Sequence, residues 1–268
     1  MKFAMLLGVS LTLAAADPNA LTPAEKKAGW KLLFDGKSFH GWDDPAKKSP
    51  PGASWVIEDG CLKSNPKPGL REDLFTTESF GDFELSFQWK ISPGGNSGLK
   101  YRIQDRFFLD ERKLKTGKFK RFEDLANDAI ASRAVPRAES TQEYIVGFEY
   151  QVIDDSGHAD ARRGPFYQAG ALYDMIAVTK NAAKAPGEFN DARIVVRGKH
   201  IEHWLNGVKV VEGDLGSPEA SAHAAKRWTT ASPIYKALAE VPKLKTPIAL
   251  QNHNDAAWFR AIKIRPLR

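Results

Sequence analysis

The stretch Gly147-Phe148-Glu149-Tyr150-Gln151-Val152-Ile153-Asp154-Asp155 holds the pattern from which the rest of the chain can be read. As a strand it sends Phe148, Tyr150 and Val152 to one face and Glu149 and Gln151 to the other, because side chains alternate with a period of two. The apolar face can pack on a core. The opposite face then offers a carboxylate and an amide from one rigid element. That pair is the raw material of a sugar site, and it is also what a plain solvated face looks like.

Outward from this stretch, strands dominate. Phe83, Leu85, Phe87, Trp89 and Ile91 alternate with Asp82, Glu84, Ser86, Gln88 and Lys90, which predicts a half-buried strand. Arg193–Arg197, Lys199–Leu205, Val208–Val211 and Trp258–Ile264 read as further strands. Asn206-Gly207 predicts a tight hairpin, since both residues tolerate positive φ, and Asp35-Gly36 and Asp59-Gly60 are similar turns. Thr22–Lys27 reads as a short helix with Thr22 as N-cap and Pro23 at its first position.

Two stretches break the pattern. Phe107–Glu143 is charged and rich in Ala and Lys, with helical spacing around Phe122, Leu125 and Ala129. Ser217–Leu244 looks helical or irregular, with Pro218, Pro233 and Pro242 as breakers. Both read as insertions on a β framework. The economical fold class is all-β, a single jelly-roll β-sandwich over 29–268 with short helical insertions near 107–143 and 217–244, preceded by a segment over 17–28.

The N-terminus predicts the compartment. Lys2 precedes an apolar run, Phe3 to Leu13, and then Ala14-Ala15-Ala16. This is a charged start, a short apolar stretch and a small-residue cleavage site, so residues 1–16 are expected to be a signal peptide. The run is shorter than the roughly 20 residues a membrane span needs, and no other segment could span. The expected protein is exported, to the periplasm or beyond the cell. The chain has 268 residues, 39 basic and 33 acidic, and a formal net charge of +6. Its charges are interspersed, which argues against nucleic acid as a partner. One cysteine, Cys61, excludes an internal disulfide framework and should pack as a small apolar side chain.

Several motifs together carry a resemblance. Gly29-Trp30-Lys31-Leu32-Leu33-Phe34-Asp35-Gly36, Gly41-Trp42, Trp55-Val56-Ile57-Glu58-Asp59-Gly60 and Asp82-Phe83-Glu84-Leu85 come first. Gly95-Asn96-Ser97-Gly98, Gly147-Phe148-Glu149-Tyr150-Gln151, Gly170-Ala171-Leu172-Tyr173 and Trp204-Leu205-Asn206-Gly207 follow. Ile248-Ala249-Leu250-Gln251-Asn252-His253 and Phe259-Arg260 close the series. In this order the chain resembles the 3-keto-disaccharide hydrolase domain family. The resemblance implies a concanavalin-like jelly roll and action on glycosides oxidised at C3. Two departures stand out. The family often reads His-Gly where this chain has His253-Asn254, and it usually passes quickly from Gly98-Leu99-Lys100-Tyr101-Arg102 to the Glu149 strand, where this chain has an insertion.

A ketone at C3 acidifies the C2 proton, so a base can remove it, the C1 substituent can leave, and water can add back. Such a site needs a base near C2, an acid near the glycosidic oxygen and a positive group near the C3 oxygen. The ordinary glycosidase route instead uses two carboxylates around an oxocarbenium-like transition state. Glu149, His253 and Lys100 are the catalytic candidates. Asn96, Arg102, Gln151, Tyr173 and Asp154 are the substrate-binding candidates. Lys100 or Arg102 could steady an enediolate oxygen, since both share a parity with Asn96 and Gly98. Trp204 could stack on a sugar or pack in the core. No cofactor is evident. A divalent metal is possible at the loop cluster Asp154, Asp155 and His158. A lectin-like module without catalysis is the rival reading, and a hydrolase of unoxidised sugars is a third.

Overall fold

The computed structural model describes residues 17–43, 52–66, 71–131 and 143–267. The expected signal peptide over 1–16 and part of the first insertion, 132–142, lie outside the described residues.

Two antiparallel sheets face each other as a sandwich. The eight-stranded sheet runs in the order β12 (Val208–Asp214), β11 (His200–Leu205), β10 (Asn190–Arg197), β6 (Phe83–Ile91), β14 (Ala257–Pro266), β4 (Cys61–Ser64) and β3 (Trp55–Glu58), with β1 (Lys31–Leu32) also paired to β14. The six-stranded sheet is built on β7 (Asn96–Phe108). It runs from β2 (Trp42–Asp43) through β5 (Leu74–Thr76) and β13 (Ala249–Leu250) to β7, which also pairs β8 (Ile130–Ala131) and β9 (Glu143–Ile153). The chain changes sheet between β1 and β2, β2 and β3, β4 and β5, β5 and β6, β6 and β7, β9 and β10, β12 and β13, and β13 and β14, which gives the jelly-roll weave.

Alternation puts the core where the sequence predicts it. Phe83, Leu85, Phe87, Trp89 and Ile91 of β6 are buried, and so are Phe148, Tyr150 and Val152 of β9. They meet across the sandwich: the Phe87 and Tyr150 rings stand edge to face at 5.5 Å, and Phe83 and Tyr101 do so at 6.3 Å. Each such side chain contributes roughly 1.5–3 kcal/mol by leaving water. His203 sits in this core. It lies 2.8 Å from the Tyr101 hydroxyl and 2.8 Å from the Gly170 carbonyl. Burial pushes its imidazole down to about 4, so it is neutral at ordinary pH.

The turns follow their residue types. Asn206 and Gly207 both have positive φ and join β11 to β12, as Asp59 and Gly60 join β3 to β4. The helix α1 (Pro23–Lys27) carries a full capping box between Thr22 and Glu25. Cys61 is buried and reduced.

The insertions hold α2 (Arg112–Lys115), a 3-10 turn over Phe122–Asp128, α3 (Pro218–Arg227) and α4 (Pro233–Glu240). Pro218 and Pro233 act as helix starters rather than breakers. Each sits at the first helical position, where its missing N–H costs nothing, behind a serine cap (Ser217, Ser232). The first insertion is narrower than its predicted bounds, because β7 continues through Phe108 and β8 pairs back onto it. Among the described residues, no helix is long and apolar enough to cross a membrane.

Candidate active site

The outer face of the six-stranded sheet carries a cavity of about 290 Å³, near the lower end of the ~300–1,000 Å³ usual for small-molecule sites. Its floor comes from three strands. Asn96 and Lys100 stand on β7, Glu149 and Gln151 on β9, and Gln251 follows β13. The register places Lys100 opposite Glu149 and Ala249 opposite Lys100, which brings residues far apart in sequence side by side.

Glu149 is the centre of the floor. Its Oε2 is 3.9 Å from Lys100 Nζ and accepts a 3.3 Å hydrogen bond from Gln251 Nε2. Gly98 makes room for it: a Cβ there would come within 2.5 Å of the carboxylate. Burial pushes the Glu149 carboxyl up to about 7, with Lys100 pulling the other way and Asp73 adding to the rise. Such a group is divided between acid and base near neutral pH.

Lys100 is buried, and its ammonium donates to Asp73 Oδ2 at 3.3 Å. Burial disfavours its charge, but Asp73 and Glu149 outweigh that and hold it above the ordinary value. It remains a fixed cation. Asp73 is held in turn by the Asn252 backbone N–H at 3.2 Å.

Gln151 is fully buried, and neither its Nε2 nor its Oε1 has a partner; the Oδ1 of buried Asn96 also has none. Buried amides without hydrogen bonds cost about 1–3 kcal/mol each, which sets these atoms apart from the satisfied polar groups around them. Tyr173 reaches the cavity because its loop runs along the free edge of β9, with the Tyr173 N–H donating to the Glu149 carbonyl at 3.0 Å. Its hydroxyl donates to Asp160 Oδ2 at 2.7 Å.

His253 stands at the rim, exposed to solvent within a concave wall. The dense protein around it, and then the Arg71 guanidinium, hold its imidazole below the ordinary value. Its loop is pinned by Asn252, whose amide donates to the carbonyls of Ser54 and Asn65 at 2.9 and 3.1 Å. Asn254 has φ +70°, a conformation that glycine and asparagine adopt most readily. Asparagine in place of the family's usual glycine therefore keeps the same turn.

Two substrate-binding candidates lie elsewhere. Arg102 does not line the cavity. The strand β7 bulges between Tyr101 and Asp105, and Arg102 takes φ +48°. This turns its side chain to the carbonyls of Gly81 and Gly198 and the carboxylate of Asp82, where it is buried. Asp154 does not line it either. Its two oxygens accept from the N–H and hydroxyl of Ser156 and from the N–H of Gly94, so it clamps two loops together. These bonds overcome burial and keep its carboxyl below the usual range.

The loop cluster proposed for a cation is occupied by protein donors. Asp155 accepts from the Ala169 N–H and from Asn181, and His158 Nδ1 accepts from the Asp160 N–H. Among the described residues, His200, Glu202 and Glu212 lie close enough to share a metal ion, but Lys209 already pairs with both glutamates. Trp204 is outside the cavity, with its ring under the Arg193 guanidinium at 4.1 Å.

The remaining wall comes from the insertions. Phe122, Ala224, Arg227, Trp228 and Leu238 close over the floor beside Tyr144. Arg227 spans Glu123 and Asp174 at 3.5 and 3.8 Å and is held as a cation. Sequence reading missed Asp73, Arg227 and Tyr144. The parity of Tyr144 on β9 differs from that of Glu149, and neither Asp73 nor Arg227 sits in a motif near the strand motifs.

A two-sheet sandwich with a roofed cavity, a perturbed carboxyl and buried, unpartnered amides on its floor defines a site chemically suited to a polyhydroxylated ligand and to proton transfer. The comparisons narrow this. Residues 29–265 match the 3-keto-alpha-glucoside-1,2-lyase-like domain, and the chain belongs to that family. It is 32% identical to a 3-keto-disaccharide hydrolase of Bacteroides thetaiotaomicron, across 96% of this chain and 85% of that protein. It also resembles solved structures from Parabacteroides distasonis provisionally named glycosyl hydrolases. One superposes with a TM-score of 0.68 at 25% identity, covering 93% of this chain and 99% of the other. A second has a TM-score of 0.58 at 24% identity, covering 89% and 99%.

Proposed function

We propose that the protein cleaves 3-keto-glycosides by removal of the C2 proton, elimination and hydration. The observation that carries this reading is Glu149, a carboxyl raised to about 7 beside a fixed ammonium. Glu149 takes the C2 proton, and the C–H electron pair moves into an enediolate whose C3 oxygen is steadied by Lys100. The carbonyl then re-forms, a C1=C2 double bond appears, and the C1–O bond breaks. The leaving oxygen takes a proton from the His253 side of the cavity. Water adds across C1=C2, with hydroxyl to C1 and a proton to C2, and the net change is hydrolysis. Gln151, Asn96 and Tyr173 hold the sugar. The names of the family and of the B. thetaiotaomicron relative support this substrate class.

The charged start, apolar run and Ala14-Ala15-Ala16 support export, to the periplasm or outside the cell, after loss of residues 1–16. N-terminal sequencing of the secreted protein should begin at Asp17.

The purified protein should release free sugar from a 3-keto-disaccharide and act far more slowly on the unoxidised disaccharide, because only the ketone makes the C2 proton removable. Glu149→Gln keeps the shape and removes the basicity. Its kcat should fall on the order of 100-fold or more while ligand binding survives. Binding of sugar without turnover of either substrate would favour a lectin-like module instead.

A further inference from the structure

The cavity has two halves of different chemistry. The floor holds the unpartnered atoms: both ends of the Gln151 amide and the Asn96 Oδ1, in side chains that are almost fully buried. A polyhydroxylated ring answers that need. The wall is apolar. Phe122, Tyr144 and Trp228 form a three-ring cluster, with centroids 5.9 Å apart for Phe122 and Tyr144, 5.3 Å for Tyr144 and Trp228, and 6.3 Å for Phe122 and Trp228. The rings lean at 56° to 63° to one another, pack as one cluster, and line a recess of the cavity. Met175, Leu238 and Ala224 complete it.

Three polar groups beside this recess already have protein partners. Glu143 pairs with Arg106, Arg227 spans Glu123 and Asp174, and the Tyr173 hydroxyl is bound to Asp160. A second sugar placed there would lose water from its hydroxyls and find few free partners, which costs affinity. A flat apolar group would lose nothing.

The recess also begins in the right place. The Tyr144 ring centroid is 5.8 Å from Lys100 Nζ, and that ammonium is 3.9 Å from Glu149. A ring joined by one or two atoms to the carbon whose bond breaks would reach the cluster from the floor. We infer that the preferred substrates are 3-keto-glycosides with an aromatic aglycone, seated against Phe122, Tyr144 and Trp228, rather than disaccharides. This rests on the reading of 3-keto-glycoside cleavage given above.

The test compares benzyl 3-keto-glucoside, methyl 3-keto-glucoside and a 3-keto-disaccharide with the full-length mature protein. All three release aliphatic alcohols, so differences report fit more than leaving-group acidity. The benzyl glycoside should exceed both others at least tenfold in kcat/KM, mostly through KM. Phe122→Ala should remove most of that preference, and Phe122→Leu, which keeps an apolar filler, should keep part of it. A disaccharide turned over as efficiently as the benzyl glycoside overturns the aglycone inference and leaves the proposed reaction standing. An unchanged benzyl preference in a folded Phe122→Ala variant overturns it as well. Turnover of none of the three removes both readings.

Discussion

On the outer face of the eight-stranded sheet, Glu84 accepts from Arg193 at 3.0 Å and also from Arg265. On the outer face of the six-stranded sheet, Glu149 has one ammonium at 3.9 Å, shared with Asp73, and one amide at 3.3 Å. The two side chains are almost equally covered, with 10% and 14% of their surface exposed. Burial raises both carboxyls. Two guanidiniums reverse that for Glu84 and hold it below the usual range, while Glu149 is left at about 7. The comparison teaches that denser surrounding protein and a smaller supply of cations together separate a reactive carboxyl from a structural carboxylate. The rest of the eight-stranded face follows Glu84. Lys63 pairs with Glu58, and Arg260 donates to Gln88 at 2.8 Å and lies 3.7 Å over Phe189. Among the described residues, the insertions roof the six-stranded face, and the buried amide with neither end partnered, Gln151, lies there.

The comparison can be broken most directly at its two glutamates. Glu149→Gln should cost 100-fold or more in kcat, and kcat/KM of the native protein should rise through pH about 7 as Glu149 loses its proton. A flat profile between pH 6 and 8 would detach Glu149 from catalysis.

Next comes Lys100→Met. Without the ammonium, about 10²–10³ in kcat should be lost if it steadies the developing oxyanion. Lys100 also pulls the Glu149 carboxyl down, so its removal should move the acid limb of the pH profile to higher pH. An unmoved limb would mean that the two groups are not coupled.

Stability against pH sharpens the contrast between core and site. His203 titrates near 6.5 when unfolded and about 4 when folded, so the unfolded chain binds more protons between those values. Its contribution therefore makes stability fall as pH drops from 6.5 to 4, by on the order of 3 kcal/mol. Glu149 acts in the opposite sense. Its folded value of about 7 lies above the ordinary 4.5, so it lowers stability as pH rises through that window. Melting curves should show Glu149→Gln more stable than the native protein at pH 8, with the gap closing by pH 4.5. A variant less stable at pH 8 would make Glu149 a structural residue.

The smallest effect is expected from Glu84→Gln. Kinetics should stay within twofold of native, and stability should fall by about 1 kcal/mol or less, since its arginine partners are partly solvated. A large kinetic loss would show that the two faces communicate.

Much of this was legible in the chain. The alternation in Phe148–Val152 and Phe83–Ile91 sets which face is core, and the Asn-Gly and Asp-Gly turns set the hairpins. Glu149, Lys100, Gln151, Asn96 and Tyr173 meet in one cavity with His253 at its rim, because period-two parity holds along β9 and the first residues of β7. Parity fails for Arg102, where a bulge at Tyr101–Asp105 re-aims the next side chain, and bulges leave no signature in a single sequence. Asp154 was misplaced because an acidic residue at a strand end looks alike whether it faces a ligand or a neighbouring loop. Asp73 and Arg227 join the site only through tertiary packing of segments with no periodicity of their own.

The floor of the cavity also has a kinetic consequence. Lys100, Glu149 and Gln251 come from strands separated by long stretches of chain, and each is positioned by a ladder with a distant partner. Contacts of that kind form late and slowly, because loop closure must come before the pairing that rewards it. Recovery of activity after dilution from denaturant therefore tracks the last strand to dock, and β13, with two residues between β5 and β7, is the piece that closes the floor.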